Sequence, residues 1–166
     1  ISGLQSIDST TTLLLPLCTG MSLCSVFNAL RAHQREEQNA KEEERQNTIL
    51  WTRLDQKTCI KSILASGYDV CVVDPILEND ELVINLQALE KELSAEENEN
   101  TKKIACVVSS TSCFAPRAPD DVEAIATLCQ KYNVAHVINN AYGVQSRKLC
   151  GKIEAAMRKG RVDCVV

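Results

Sequence analysis

No apolar run of 18 or more residues occurs in this 166-residue chain, so nothing in it reads as a membrane-spanning helix. No basic stretch precedes the opening ISGLQSIDSTTTLLLPL, which therefore does not read as a secretory signal peptide. A large excess of either charge is lacking too. Eighteen basic residues against 22 acidic ones leave a net charge of −4, and no broad basic excess advertises nucleic acid. The nine cysteines include no CxxC pair, which argues against a zinc site or a disulfide framework. Most lie inside apolar segments, as buried thiols of a reducing cytosol would, with Cys18 the exception by position. Only two histidines are present. His33 borders a charged segment and His136 sits within an apolar run, where it reads as a satisfied core residue. No nucleophilic triad, Walker loop or GxGxxG stands out.

What is present suits one ordinary domain, 45% hydrophobic and 24% charged. Short runs rich in Val, Ile and Cys predict strands at Ile49–Trp51, Val70–Val73, Ile104–Val108, Val134–Ile138 and Val162–Val166. Helical periodicity predicts helices over about Gly20–Ala32, Gln56–Ala65, Leu86–Leu93 after an Asn85 cap, Asp120–Tyr132 and about Gln145–Met157. The strands do not alternate with polar residues, so they read as buried on both faces. The order of strand and helix then gives an open α/β fold, a mostly parallel central sheet flanked by helices. The segment 33–47 is rich in Glu, Gln, Lys and Arg and has no apolar face. It reads as a solvated helix extension or a charged surface insert.

Ligands of open α/β sheets bind outside the carboxyl ends of the strands. Polar groups follow four apolar runs: Cys18-Thr19-Gly20 after Leu13–Leu17, Arg53 to Thr58 after Trp51, Ser109 to Ser112 after Val108, and Asn139-Asn140 after Ile138. Hydroxyls and amides thus converge on one edge, which predicts a site for a polar small molecule. The Thr19-Gly20 turn opens a helix, whose free N–H groups could hold a phosphate. These neutral, hydrogen-bonding residues suit holding a cofactor that carries the reactivity itself.

Four segments carry a resemblance: TGMSL (Thr19–Leu23), RLDQKTC (Arg53–Cys59), STSCFAPRAPD (Ser110–Asp120) and NNAYGVQS (Asn139–Ser146). Together they resemble the O-phosphoseryl-tRNA(Sec):selenocysteinyl-tRNA synthase family, also called the soluble liver antigen/liver pancreas antigen family. The resemblance implies part of the large domain of a fold-type I, aspartate-aminotransferase-like pyridoxal-phosphate enzyme. It implies conversion of phosphoserine on the selenocysteine tRNA to selenocysteine, with selenophosphate as donor. Loss of the α-proton and then of phosphate would leave a dehydroalanyl group to which selenium adds. A cytoplasmic homotetramer, with active sites at subunit interfaces, is implied as well.

Under the same resemblance, Cys18, Thr19 and Gly20 hold the cofactor phosphate. Gln56 lies over the ring with Thr58 beside it, and Ser109 and Thr111 sit near its phenolic side. Asn139 partners the pyridine nitrogen, Ala141 packs beneath the ring, and Arg158 contacts tRNA. The family's cofactor-anchoring lysine follows in an S-L-D-K setting expected just beyond Val166. The segment before residue 1, the lysine region and the small C-terminal domain are expected to be missing, so the chain alone is expected to be inactive, with no catalytic residue of its own. Two alternatives stay open: another fold-type I pyridoxal-phosphate enzyme, such as a desulfurase or decarboxylase, or a non-catalytic relative that grips tRNA or a partner. The two adjacent amides should differ in role. Asn139 should face the cofactor, and Asn140 should point to the other side and satisfy nearby backbone.

Overall fold

A computed structural model describes residues 12–37, 46–54, 56–95, 103–112 and 116–166. In chain order these form α1 (Thr19–Glu37), β1 (Thr48–Thr52), α2 (Lys57–Ala65), β2 (Asp69–Val73), β3 (Ile76–Glu78), β4 (Glu81–Val83), α3 (Leu86–Leu93), β5 (Ile104–Ser110), α4 (Val122–Lys131), β6 (Ala135–Asn139), α5 (Arg147–Lys159) and β7 (Cys164–Val165). Every residue of β1 and β6 is buried, and β5 is buried at all but its first position. Strands covered on both faces belong at the centre of a parallel sheet. The sheet has the order β2-β1-β5-β6-β7, and each pairing is parallel.

Alternate side chains divide the core in two. On one face Leu23, Phe27, Cys59 and Ile63 of α1 and α2 pack on Ile49, Trp51, Cys106, Val108, Ala135 and Val137. On the other, Leu89, Ile125 and Cys129 of α3 and α4 cover Leu50, Cys71, Val73 and Val107, and Val122, Cys150 and Ile153 cover Ile138. From β1 the chain steps outward to β2, then crosses to β5 and proceeds the opposite way through β6 and β7. The strand order therefore reverses between β1 and β5. At such a switch point the loops leaving the carboxyl ends diverge and open a crevice.

Three helices that cover the second face begin with side-chain caps: Asn85 on Ala88 N at 3.0 Å, Asp121 on Ala124 N at 3.1 Å and Ser146 on Leu149 N at 3.4 Å. The helices of the first face start differently. Gln56 makes no side-chain cap bond to α2, and neither α1 nor α2 has an acidic residue in its first turn.

Several expectations change. The first predicted helix extends to Glu37, into the charged segment, while residues 38–45 of that segment lie outside the described residues. Leu13–Leu17 is no strand. All five of these residues are exposed and lead into α1, so three strand ends and one helix start make the polar edge. The last strand is only Cys164–Val165, because Val162 and Asp163 belong to the turn in which Asp163 Oδ2 accepts from His136 N at 2.8 Å. The β3–β4 hairpin has no counterpart among the predicted elements. Its turn residues Asn79 and Asp80 take φ values of 46° and 66°, the left-handed conformation that Asn and Asp tolerate and two-residue hairpins require.

Candidate functional site

The first turns of α1 and α2 lie against each other at the carboxyl edge of the sheet. Ser22 N donates to Cys18 O at 3.0 Å, the first bond of α1, which leaves the N–H groups of Thr19, Gly20 and Met21 without helical acceptors. A β-carbon on Gly20 would lie 2.8 Å from Thr58 Cγ2, so glycine is what lets the two helices approach this closely. Ser62 Oγ ties them further, with donor–acceptor distances of 3.0 Å to Gly20 O and 2.7 Å to Thr58 O. Two positive helix ends without acidic side chains suit an anionic group. Cys18 is exposed and Gln56 half-buried at the entrance to these turns.

Beside them, Asn139 ends β6 with 3% of its surface exposed. Its Oδ1 accepts from Ala141 N at 3.2 Å, and its Nδ2 donates to Cys59 Sγ of α2 at 3.4 Å. A backbone N–H can only be met by the amide oxygen, so this bond fixes which way the amide faces. Burial pushes the Cys59 thiol above its ordinary value, partly offset by the Asn139 amide. That thiol is neutral at pH 7. Ala141 itself is exposed in the following turn.

Asn140, 5% exposed, points to the other face and accepts from Thr111 Oγ1 there. Its partner is thus a side-chain hydroxyl rather than the backbone expected. Its own carbonyl accepts from Gly143 N at 2.9 Å, and a side chain on Gly143 would collide with the Asn140 amide. Ser109 lies on this second face as well. Its hydroxyl meets His136 Nε2 at 2.7 Å, while His136 Nδ1 meets Arg161 O at 3.2 Å. The carbonyl requires a proton on Nδ1, so Nε2 accepts from Ser109. Burial lowers the His136 pKa to about 4, so the ring is neutral, as its core position suggests.

The structure therefore brings Thr19, Gly20, Thr58 and Asn139 to one face. Ser109 and Thr111 point to the other. Arg158 is at neither place. It is exposed near the end of α5, paired with Glu154 at 3.6 Å, toward the amino edge of the sheet where Arg161 reaches Asn133. The described part of the STSCFAPRAPD stretch adds residues that the sequence reading did not single out. Asp120 is fully buried and accepts from Thr52 Oγ1 at 2.7 Å, from Ser110 N at 2.8 Å and from Arg117. Burial raises the Asp120 carboxyl above its ordinary value, opposed first by the Arg117 charge. Arg117 also donates to Arg53 O at 3.1 Å and Ala118 O at 2.9 Å, which fastens the loop after β5 to the end of β1. The i,i+3 spacing of Arg117 and Asp120 was the available signal.

The sequence model of the family described as O-phosphoseryl-tRNA(Sec) selenium transferase, SepSecS, matches residues 1–166. The chain belongs to this family. It is 40% identical over 164 residues to the O-phosphoseryl-tRNA(Sec) selenium transferase of Caenorhabditis elegans, covering 99% of this chain and 31% of that protein. The Dictyostelium discoideum selenium transferase is 38% identical over 166 residues, 100% of this chain and 32% of its own. A crystal structure of an archaeal SepSecS superimposes with a TM-score of 0.75 at 27% identity, over 90% of this chain and 32% of that one. The fold extends further. The structure of Oryza sativa TDC with PLP matches at a TM-score of 0.70 and 14% identity, over 92% of this chain and 33% of that one. The chain spans about a third of the SepSecS relatives it matches. Among the described residues no helix is long and apolar enough to cross a membrane, and no cluster of metal-ligating side chains occurs.

Proposed function

We propose that this chain is the cofactor-holding core of a pyridoxal-phosphate-dependent O-phosphoseryl-tRNA(Sec) selenium transferase. Its substrates are then the phosphoserine-charged selenocysteine tRNA and selenophosphate, and the working form is a cytoplasmic homotetramer. One observation carries the reading: two helix starts without acidic residues in their first turns meet at the carboxyl edge of the sheet, beside the buried Asn139 amide that ends β6. That arrangement fits a phosphorylated aromatic ring. The donor N–H groups of Thr19 and Gly20 suit the phosphate, and Asn139 suits a ring nitrogen. Bound pyridoxal phosphate supplies an electron sink for proton loss next to an amino group.

The chain's own residues bind and orient. Thr19 and Gly20 hold the phosphate with backbone N–H groups and the positive end of α1, with Cys18 at the rim. Gln56 and Thr58 line the first turn of α2 over the ring, and Ala141 borders it from the loop after β6. The Asn139 oxygen is committed to Ala141 N–H, so this residue offers an N–H to the ring nitrogen. A donor favours the unprotonated nitrogen, whereas an aspartate there would keep it protonated. The consequence is a weaker electron sink, matched to a substrate that expels a good leaving group, phosphate. Arg158, on the opposite edge, is free of this chemistry and suits contact with tRNA phosphates.

The test uses the full-length chain with pyridoxal phosphate, phosphoseryl-tRNA and selenophosphate. Selenocysteinyl-tRNA is the expected product. A full-length chain that binds the charged tRNA but neither takes up pyridoxal phosphate nor turns over would favour a non-catalytic tRNA binder.

A further inference from the structure

Ser110 is only 3% exposed, yet its buried hydroxyl has no hydrogen-bond partner among the described residues. Buried hydroxyls are rarely left unpaired, because the lost hydration is uncompensated. Ser110 is the register partner of Asn139 across the parallel pairing of β5 with β6. Side chains alternate along β5, so Ser110 shares the face of Cys106 and Val108, the face covered by α1 and α2. Its hydroxyl consequently lies in the layer that holds the Asn139 amide and the Cys59 thiol, one strand spacing (~4.8 Å) from Asn139.

A second, independent feature fixes Ser110 in this position. Its N–H donates to Asp120 Oδ2 at 2.8 Å, and its carbonyl accepts from Asp120 N at 3.0 Å. Asp120 is in turn clamped by Thr52 and the Arg117 guanidinium. Both main-chain groups of Ser110 are therefore occupied by Asp120, one by its carboxylate and one by its backbone N–H, and the hydroxyl is the one polar group left over. Ser109 and Thr111 differ, because each already has a partner on the opposite face.

We propose that Ser110 is a cofactor-contacting residue, its hydroxyl donating to an oxygen on the edge of the ring whose nitrogen Asn139 meets, with the Arg117–Asp120 pair as its positioning device. The inference rests on the pyridoxal-phosphate reading given above and names a contact within that site. The ring carries its phenolic oxygen meta to the nitrogen, on the edge that a donor one strand away from Asn139 can reach. A hydroxyl donor there stabilises the ionised phenol.

The experiment compares Ser110→Ala and Ser110→Thr with the unmodified full-length chain. Three quantities are read: the dissociation constant for pyridoxal phosphate, the pH midpoint of the bound cofactor's absorbance, and the denaturant midpoint of the cofactor-free protein. Removing an unpaired hydroxyl should leave the cofactor-free midpoint unchanged or higher, while the dissociation constant rises about ten-fold. The absorbance midpoint should move to higher pH. Ser110→Thr retains a hydroxyl and should stay within about three-fold of the unmodified dissociation constant. If Ser110→Ala binds the cofactor within about two-fold of the unmodified protein, the contact does not exist. If Ser110→Ala lowers the cofactor-free midpoint, the hydroxyl has a structural partner and the proposal fails equally. An unmodified full-length chain that takes up no pyridoxal phosphate overturns the underlying reading instead.

Discussion

Substituting Gly20 by alanine probes the junction of α1 and α2 directly. The new methyl would start 2.8 Å from Thr58 Cγ2, with Ser62 Oγ at 3.4 Å. Carbon atoms rest at about 3.5–4.0 Å, so the helices must separate by nearly an ångström or Thr58 must leave its rotamer. Overpacking of this kind costs about 1–3 kcal/mol. Alanine's advantage over glycine in a helix returns at most about 1 kcal/mol, and less in a first turn. The balance is a net loss of about 1–2 kcal/mol, measurable as a lower urea midpoint. Thr58→Ser removes the opposing methyl at a cost of about 0.8 kcal/mol by itself. The double variant should therefore be more stable than the sum of the two single effects by about 1 kcal/mol or more. Phosphate and pyridoxal-phosphate affinity should follow the same pattern, because separating the helix starts moves their N–H groups apart. A stability for Gly20→Ala equal to that of the unmodified protein, with no rescue by Thr58→Ser, would refute the close approach.

Three other perturbations read different parts of the structure. Burial depresses His136 from an ordinary 6.5 to about 4, so the stability it contributes is present above pH 6.5 and lost as the pH falls toward 4. The loss amounts to about 3 kcal/mol across that window, and His136→Gln should flatten the pH dependence of the urea midpoint there. Asp120→Asn removes the carboxylate charge that pairs with the buried Arg117 guanidinium and should cost about 3–5 kcal/mol by denaturant titration. Adding Arg117→Met to it should cost clearly less than the two single losses combined, and strict additivity would argue against the pair. In the full-length chain, Asn139→Ala should lower turnover far more than Asn140→Ala. The latter should instead lower stability by about 1–2 kcal/mol through its bond from Thr111.

The central sheet was legible because β1, β5 and β6 are buried on both faces and carry apolar runs, Ile49–Trp51, Ile104–Val108 and Val137–Ile138, that do not alternate with polar residues. Asn85 announced its helix because an amide oxygen just before an apolar helical period can accept from a first-turn N–H, as it does from Ala88 N. Leu13–Leu17 misled for the opposite reason. An apolar run carries no mark of whether it has a surface to cover, and these residues are exposed in the described chain. The hairpin escaped notice because Ile76–Glu78 and Glu81–Val83 are three residues each, too short for a period, although Asn79-Asp80 between them is a turn signal.

At the site, the residue types were readable and their directions were not. Thr19, Gly20, Thr58 and Asn139 meet because each lies at an element's end, where the chain position alone sets the place. The hydroxyls of Ser109, Ser110 and Thr111 depend on strand phase. β5 runs to Ser110, two residues past the last valine, and that phase sends Ser110 to one face and its neighbours to the other. The Arg117–Asp120 clamp depends on a loop folding back onto Ser110, which no periodicity reports.

A crystal structure of the full-length chain with pyridoxal phosphate tests the central claim most directly. The phosphate should accept from the N–H groups of Thr19 and Gly20 at the start of α1, with the ring beside α2 and its nitrogen at the Asn139 amide. A cofactor bound at another edge of the sheet, or one whose nitrogen meets a carboxylate instead of Asn139, would contradict it.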